Sequence, residues 1–412
     1  MALGVLLQQV GPICETINGV ETAASTMTPL HSGISLPKGL RRYFRGTRRL
    51  NWELFYALDT VFDLSHDFLE VDASRSVESF LRLKNRFPVL REIYRKFENC
   101  EMVVINGEGT YIFTQRPRRD TLFYNFSIAL AKRMGKQVCV VNAMFSDEPA
   151  IGCNQAVLEQ SVQALREADL VTARDSESYA YMRDRLREDR FRYIPDALFT
   201  WSNYIEDWKT LLKGKVETFE PFGSETLARV ADIDLQRPYI AISGSSAAAR
   251  EQKAAYEGYK QLVKQLQPLG LPLLLVPTCG GDQFLEDLAE DMKLPSVPLR
   301  IPIRIGAAIL GKAEVFVSGR FHPSIMASCG GTPCVFLGSN SHKTRSLQRV
   351  LEYDGVIEHP AIPDADAHPQ IRQQCEALLA EPQRETVSAV AKRLGREALQ
   401  VVDALTAVRA GS

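Results

Sequence analysis

The spacing of apolar and polar positions changes character along the 412 residues. Over residues 1 to 100 the apolar periods are mixed, except in SVESFLRLKNRFPVLREIYRKFENC, where spacings of three and four predict an amphipathic helical region broken near Pro88. From 102 a different rhythm begins. Short apolar runs, MVVIN, QVCVVNA, LVTA and FRYIP, alternate with helical stretches near 121–134, 155–168 and 177–187. Such βα alternation predicts a parallel sheet covered by helices on both faces.

Residues from about 200 to 236 carry Trp201, Trp208 and the polar run KGKVETFEPFGSETL, and read as a crossing between domains. PYIAISGSSAAAREQK restarts the alternation with a strand from Tyr239 to Ile242, a small-residue turn, and a helix to about Gln267. LPLLLVP gives the next strand, TCGGDQ its loop, and Arg300 to Gly311 a further helix. Val315 to Val317 is then a buried strand, Pro323 opens a short helix ending near Gly330, and Pro333 to Leu337 is a second strand. Beyond 352 the chain becomes helical and polar, and residues 382 to 408 have the spacing of one amphipathic helix. The expected architecture is α/β: two Rossmann-like, doubly wound parallel-sheet domains over 1–210 and 235–365, with 1–100 poorly defined, and a helical tail over 366–412.

The candidate chemistry lies where strands end. In a right-handed βαβ unit, Ser318-Gly319-Arg320-Phe321-His322 and Ser339-Asn340-Ser341-His342-Lys343 both leave the carboxyl ends of parallel strands and face one crevice. A helix start offers unpaired N–H groups, and Arg320 adds a forked donor pair suited to carboxylate or phosphate. His322 is placed to move a proton beside that anion, and Lys343 brings a second cation. The plainer alternative is that Arg320 is a satisfied ion pair and His322 a helix-start histidine. A Gly and Ser turn such as Ser243, Gly244, Ser245 and Ser246 ahead of a helix is a phosphate cradle when a partner faces it, a weak signal alone.

In the first domain the strand ends carry Asn106, Gly107, Glu108, Gly109 and Thr110, then Asn142, then Arg174, Asp175 and Ser176, then Asp196. Gly107 and Gly109 would let the backbone approach a ligand, with Glu108 between them as a candidate base. Asp175 and Ser176 match helix N-cap chemistry. Asp196 is suited to a neighbouring loop or an acceptor hydroxyl.

Bulk properties narrow the field. A formal charge of −1, with charges spread along the chain, gives no field for general nucleic-acid binding. Eight scattered cysteines without a C-x-x-C pair read as reduced packing residues, and six scattered histidines give no metal-ligand spacing. The opening MALGVLLQQV lacks a basic n-region, and no run approaches the ~18 apolar residues of a membrane span, so the expectation is a cytoplasmic protein. The segment 37–52, PKGLRRYFRGTRRLNW, interleaves basic and aromatic residues. It reads either as a solvated basic loop or as a peripheral contact with an anionic membrane surface or a lipid-linked diphosphate acceptor.

SGRFHPSIMASCGGTPCVFLGSNSHK, together with VVINGEGTYIF at 103–113, VTARDSESYAYM at 171–182 and YIPDALF at 193–199, resembles the polysaccharide pyruvyl transferase family across roughly residues 100 to 350. The resemblance implies a GT-B-like two-domain transferase that moves pyruvyl from phosphoenolpyruvate, as co-substrate and without a cofactor or metal, onto sugar hydroxyls. The product is a ketal, and the acceptor a glycan or lipid-linked saccharide of envelope or secreted polysaccharide assembly. It implies His322 as acid and Glu108 as base; donor binding by Ser318, Gly319, Arg320, Ser339, Asn340, Lys343, Ser243, Gly244 and Ser245; and an acceptor side of Asn106, Gly107, Gly109, Thr110, Asn142, Arg174 and Asp196. It further implies a tail that packs across the hinge.

The alternative is a GT-B glycosyltransferase using a CMP-activated ulosonic acid of the sialic acid or Kdo type. Such enzymes are similar in their His-Pro pair, as at His322-Pro323, their acidic-Gly loop, as at Gly107-Glu108-Gly109, and their Ser-rich turn, as at Ser243 to Ser246. A third reading, a non-enzymatic sugar- or nucleotide-binding module, would be expected to lack the charged loops.

Overall fold

A computed structural model describes residues 2–17, 68–85, 87–149, 152–210, 212, 234–299 and 301–411. The basic segment 37–52 lies outside the described residues. Ahead of the first strand come α1 (Ala2–Val10), α2 (Ala73–Leu83) and α3 (Pro88–Glu98). Asp72 caps α2 through the Ser74 and Arg75 amides, and Pro88 opens α3, so the predicted break at this proline separates two helices.

The first sheet is wholly parallel and ordered β1 (Met102–Phe113), β2 (Gln137–Asp147), β3 (Leu170–Ala173) and β4 (Phe191–Tyr193). Helices α4 (Arg119–Arg133), α5 (Gln155–Glu167) and α6 (Ser176–Met182) make the crossovers. β2 is buried from Val138 to Ser146, the near-continuous burial expected of a strand covered on both faces.

A segment of 3₁₀ helix, Ala197–Asn203, and α7 (Ile205–Thr210) leave this sheet. The second sheet, also parallel, has the order β6 (Leu273–Leu275), β5 (Ile240–Ser245), β7 (Val315–Gly319), β8 (Cys334–Leu337) and β9 (Glu358–His359). Its helices are α8 (Gln252–Leu266), α9 (Gln283–Met292), α10 (Ile303–Lys312), α11 (Phe321–Cys329) and α12 (Lys343–Val350). From β5 the chain passes first to one neighbour, β6, and then back to the other, β7. The strand order therefore reverses between β5 and β7, where an open α/β sheet forms its ligand crevice.

The tail is α13 (Ala367–Ala380), α14 (Arg384–Ala398) and α15 (Gln400–Ala410). Residues 382–408 are thus two helices, not the single one the spacing suggested. A tight turn, with the Leu399 N–H on the Arg396 carbonyl at 3.2 Å, separates them. α14 packs on the 197–203 segment and α11, and α15 packs on α1, β2 and β3. One apolar core joins the two sheets, running from Cys139 and Val141 through Phe199, Phe316 and Phe336 to Leu394 and Leu405.

Three boundaries differ from the sequence expectation in ways that matter. β1 and β2 do not end at Asn106 and Ala143 but continue to Phe113 and Asp147, so Asn106 to Thr110 lie within β1, at a register irregularity between Glu108 and Tyr111. Polar residues interrupt the apolar pattern there, and pairing resumes at Tyr111, Ile112 and Phe113. Glu108 (φ 36°) at this irregularity, and Asn142 (φ 56°) at a second one between β2 and β3, both have left-handed backbones. The helix after β7 begins at Phe321, two residues earlier than the proline suggested, which puts His322 in its first turn. No helix among the described residues is long and apolar enough to cross a membrane.

Candidate active site

The site is built from the carboxyl edges of both sheets. Chain leaving β3 supplies Arg174, whose backbone N–H bonds to the Ala143 carbonyl at 2.9 Å. Its guanidinium lies over the Phe321 ring, 4.2 Å from the centroid, so the first residue of α11, beside the second sheet, forms the floor for a cation beside the first. Arg174 Nη1 donates to Asp196 Oδ2 at 3.3 Å and stands 3.1 Å from His322 Nε2. His322 Nε2 is in turn 3.5 Å from the same Asp196 oxygen. Arg174 and Asp196 are buried, whereas the His322 side chain is 37% exposed. The imidazole is therefore anchored at one nitrogen while part of its ring stays open to solvent.

Asp196 is held from below. Its Oδ1 accepts the Leu198 N–H at 2.9 Å, capping the 3₁₀ segment, and Asn142 Nδ2 lies 3.4 Å from Oδ2. Asn142 Oδ1 accepts the Ala197 N–H at 2.9 Å, which explains why an asparagine occupies this left-handed position. Burial alone would raise the Asp196 carboxyl, but hydrogen bonding and charge from His322, with Arg174, outweigh it and hold the group at about 2. Asn142, Arg174 and Asp196, expected to face an acceptor, instead form a buried bracket for His322.

Arg320 opens α11, its N–H donating to Ser318 Oγ at 3.0 Å. It is not a free fork. Nη2 pairs with Asp282, which is fully buried and accepts both the N–H and the hydroxyl of Thr278 at 2.9 Å. The plainer alternative of a satisfied ion pair thus holds for one arm, while Nε has no hydrogen-bond partner. Gly244 is required by this pair, since a Cβ there would lie 2.0 Å from Asp282 Oδ1.

The Ser and Gly residues of β5 do not form a cradle at a helix start. Ser243, Gly244 and Ser245 are still in the strand, and α8 begins only at Gln252. Ser245 Oγ bonds the Gly338 carbonyl, and Gly319 permits this close approach, because a Cβ there would sit 2.5 Å from Ser245 Cβ. Ser243 Oγ is buried without a partner.

Lys343 Nζ donates to Ser246 Oγ at 2.9 Å and to Asn340 Oδ1 at 2.8 Å, and Ser339 Oγ lies 3.5 Å from the same amide oxygen. Burial, and after it the charges of Arg174, Arg320 and Arg118, push the Lys343 amine down to about 7.

On the first-sheet side, Glu108 is exposed and accepts from Asn106 Nδ2 at 2.8 Å. Gly107 admits β2 rather than a ligand, since a Cβ there would come 2.5 Å from Ala143 Cβ. Gly109 is close to the bracket, a Cβ at that position lying 3.9 Å from Arg174 Nη2. Its carbonyl accepts from Arg118 Nη1 at 2.7 Å, and the buried Thr110 accepts from Thr121 Oγ1 at 2.9 Å through its own carbonyl.

Three groups escaped the sequence reading. Arg118 could have been sought in RPRRD, the basic run after β1. Asp282 carries no local signal as the partner of Arg320. His342 was passed over beside Lys343, yet its Nε2 lies 3.2 Å from both Asp175 Oδ1 and Ser178 Oγ. Asp175 caps α6 through the Ser178 N–H at 2.8 Å, as expected, and also accepts from Ser346 Oγ at 2.9 Å. Burial works against the Asp175 carboxylate, and His342 keeps it below the usual range. Arg349 pairs with Glu177 nearby, and Arg250 Nη1 meets Glu148 Oε1 at 3.2 Å, so ion pairs fasten the second sheet to the first on more than one side. Among the described residues no cluster of His, Cys, Asp or Glu could hold a metal ion.

With this geometry in place, comparison with known proteins decides the family. A family model described as polysaccharide pyruvyl transferase matches residues 51–341. The chain belongs to the polysaccharide pyruvyl transferase family. It is therefore an enzyme, a transferase, and membership implies a glycan acceptor and an activated donor. No curated protein matches the sequence. Among solved structures, the UDP-GlcNAc 2-epimerase of Neisseria meningitidis bound to UDP-GlcNAc is similar at 9% identity and TM-score 0.53, over 81% of each chain. A UDP-forming alpha,alpha-trehalose-phosphate synthase of Burkholderia xenovorans is similar at 10% identity and TM-score 0.49, over 84% of this chain and 81% of that one. At such identity the first likeness speaks for fold alone. This pyruvyl transferase family member has a GT-B-like fold.

Proposed function

We propose that the protein transfers the pyruvyl group of phosphoenolpyruvate to two hydroxyls of a sugar in a glycan precursor, forming a cyclic ketal and releasing inorganic phosphate. The observation that carries this reading is a proton-transfer group, His322, bracketed by Arg174 and Asp196, in a cleft where Arg320 and Lys343 also converge. Phosphoenolpyruvate bears a carboxylate and a phosphate on adjacent atoms and calls for several fixed cations.

In this reading His322 delivers a proton to the methylene carbon, and positive charge develops at the carbon bearing the phosphate. The first sugar hydroxyl adds there. The C–O bond to phosphate breaks, and the second hydroxyl closes the ring at the same carbon. Of the two hydroxyl protons, one replaces that given by His322 and the other leaves on phosphate. Glu108, exposed at the irregularity of β1, is our choice of base for the hydroxyl. A lipid-linked acceptor would bring the basic and aromatic segment 37–52 to an anionic membrane surface.

The test is incubation of purified protein with phosphoenolpyruvate and candidate saccharides, following phosphate release and ketal formation by mass spectrometry. Acceptor-dependent phosphate release with a ketal supports the proposal. Transfer of a sugar from a CMP-linked ulosonate, with phosphoenolpyruvate untouched, contradicts it.

A further inference from the structure

The cations of the cleft are not equally compensated. Arg174 faces Asp196, Arg320 faces Asp282, and Arg118 is held by the Gly109 and Thr110 carbonyls at 2.7 and 3.4 Å. Lys343, like Arg118, has only neutral hydrogen-bond partners, in its own case Ser246 Oγ and Asn340 Oδ1, and no carboxylate in ion-pair range among the described residues; unlike a guanidinium, its amine can give up a proton. Yet the amine is part-buried, its Nζ held against Ser246 just past the end of β5, and the strand order reverses beside β5 where an open sheet forms its crevice. A part-buried ammonium beside other cations and without a counter-ion is disfavoured.

We propose that Lys343 takes up a proton as the anionic donor enters, so that donor binding is coupled to proton uptake and favours a ligand carrying both phosphate and carboxylate. This rests on the assignment of phosphoenolpyruvate as donor and adds a property that assignment does not contain.

The groups facing Lys343 are Arg118 from the segment after β1, Arg174 from the end of β3, Arg320 from the start of α11, and Cys279 from the loop after β6. The three guanidinium groups disfavour a fourth positive charge, whereas the thiol acts weakly the other way. His342, next in sequence, is turned to Asp175 instead. Burial and these charges together hold the amine at about 7. A bound phosphate or carboxylate reverses the sign of the local potential and restores the ammonium as a third fixed cation for the donor. The proton comes from solvent and returns to it when product phosphate leaves.

Calorimetry of phosphoenolpyruvate binding at pH 8, in two buffers of different ionisation heat, reads the coupling directly. The ligand phosphate is already ionised there, its second ionisation lying near pH 6. With the amine at about 7, wild type should take up about 0.9 proton per site, and its dissociation constant should rise up to tenfold per pH unit above 7.5. Lys343→Met and Lys343→Arg should both bind with no uptake and with an affinity flat over that range, the methionine variant more weakly. Thermal melting identifies a variant that does not fold, and either folded variant suffices. Binding by wild type without proton uptake, or uptake undiminished in the variants, overturns this inference and leaves the donor assignment standing. No binding of phosphoenolpyruvate by wild type overturns both.

Discussion

Arg174 Nη1 and His322 Nε2 lie 3.1 Å apart, although one follows a strand of the first sheet, the other lies in the helix after β7 of the second, and 148 positions of chain separate them. The contact puts the imidazole where the two halves of the GT-B-like fold meet. The ring is positioned by Arg174 and by Asp196, to which Arg174 is itself bonded. One side chain, His322, thereby bridges the two halves.

Replacing His322 by alanine removes the group proposed to protonate the donor. A well-placed proton-transfer group contributes about 10²–10⁴-fold in rate, so kcat should fall within that range while phosphoenolpyruvate still binds. Steady-state kinetics with isothermal titration of the variant checks this. Activity near that of wild type would remove His322 from the chemistry.

Asp196→Asn leaves the buried Arg174 guanidinium without its counter-charge. Breaking a buried pair costs about 3–5 kcal/mol, measurable by denaturant unfolding at pH 7. The sign of the pH dependence follows from the direction of the shift. Because the Asp196 carboxyl sits at about 2, below its ordinary 3.8, its stabilisation is present above pH 4 and is lost as the pH falls through 2. The gap between wild type and variant should narrow over that window alone.

Gly244→Ala would place a Cβ 2.0 Å from Asp282 Oδ1 and force the carboxylate off Arg320. Overpacking of this kind costs about 1–3 kcal/mol. The donor KM should rise as Arg320 swings, with the acceptor KM little changed, and kinetics over both substrates separates the two.

Lys343→Met should stabilise the resting protein at neutral pH. The lysine amine is lowered from 10.5 to about 7, so between those values the unfolded chain holds a proton that the folded one does not. Stability contributed by this residue therefore rises with pH across that interval. The melting temperature of the variant should exceed that of wild type at pH 7, and the difference should shrink toward pH 10.

Much of this was legible in the residues. The βα alternation from 102 onward and the loop SGRFH gave two parallel sheets and placed Arg320 and His322 at one strand end, because buried parallel strands read as continuous apolar runs. What escaped were relations between distant segments. Asp282 answers Arg320 across 38 positions and His342 answers Asp175 across 167, and neither pairing leaves a periodic or local trace. Asn106 to Thr110 misled for a different reason. Their polar character mimics a loop, whereas β1 absorbs them through one register irregularity and a left-handed glutamate. Gly107 read as room for a ligand, and Gly244 and Gly319 as donor-binding residues, yet each makes room for protein atoms.

The most direct measurement is thermal unfolding of the purified protein with phosphoenolpyruvate, CMP or no ligand. A ligand at 100 times its dissociation constant adds about 2.7 kcal/mol to the folded state. Phosphoenolpyruvate should raise the midpoint in wild type while CMP leaves it unchanged. A rise with CMP and none with phosphoenolpyruvate would contradict the account.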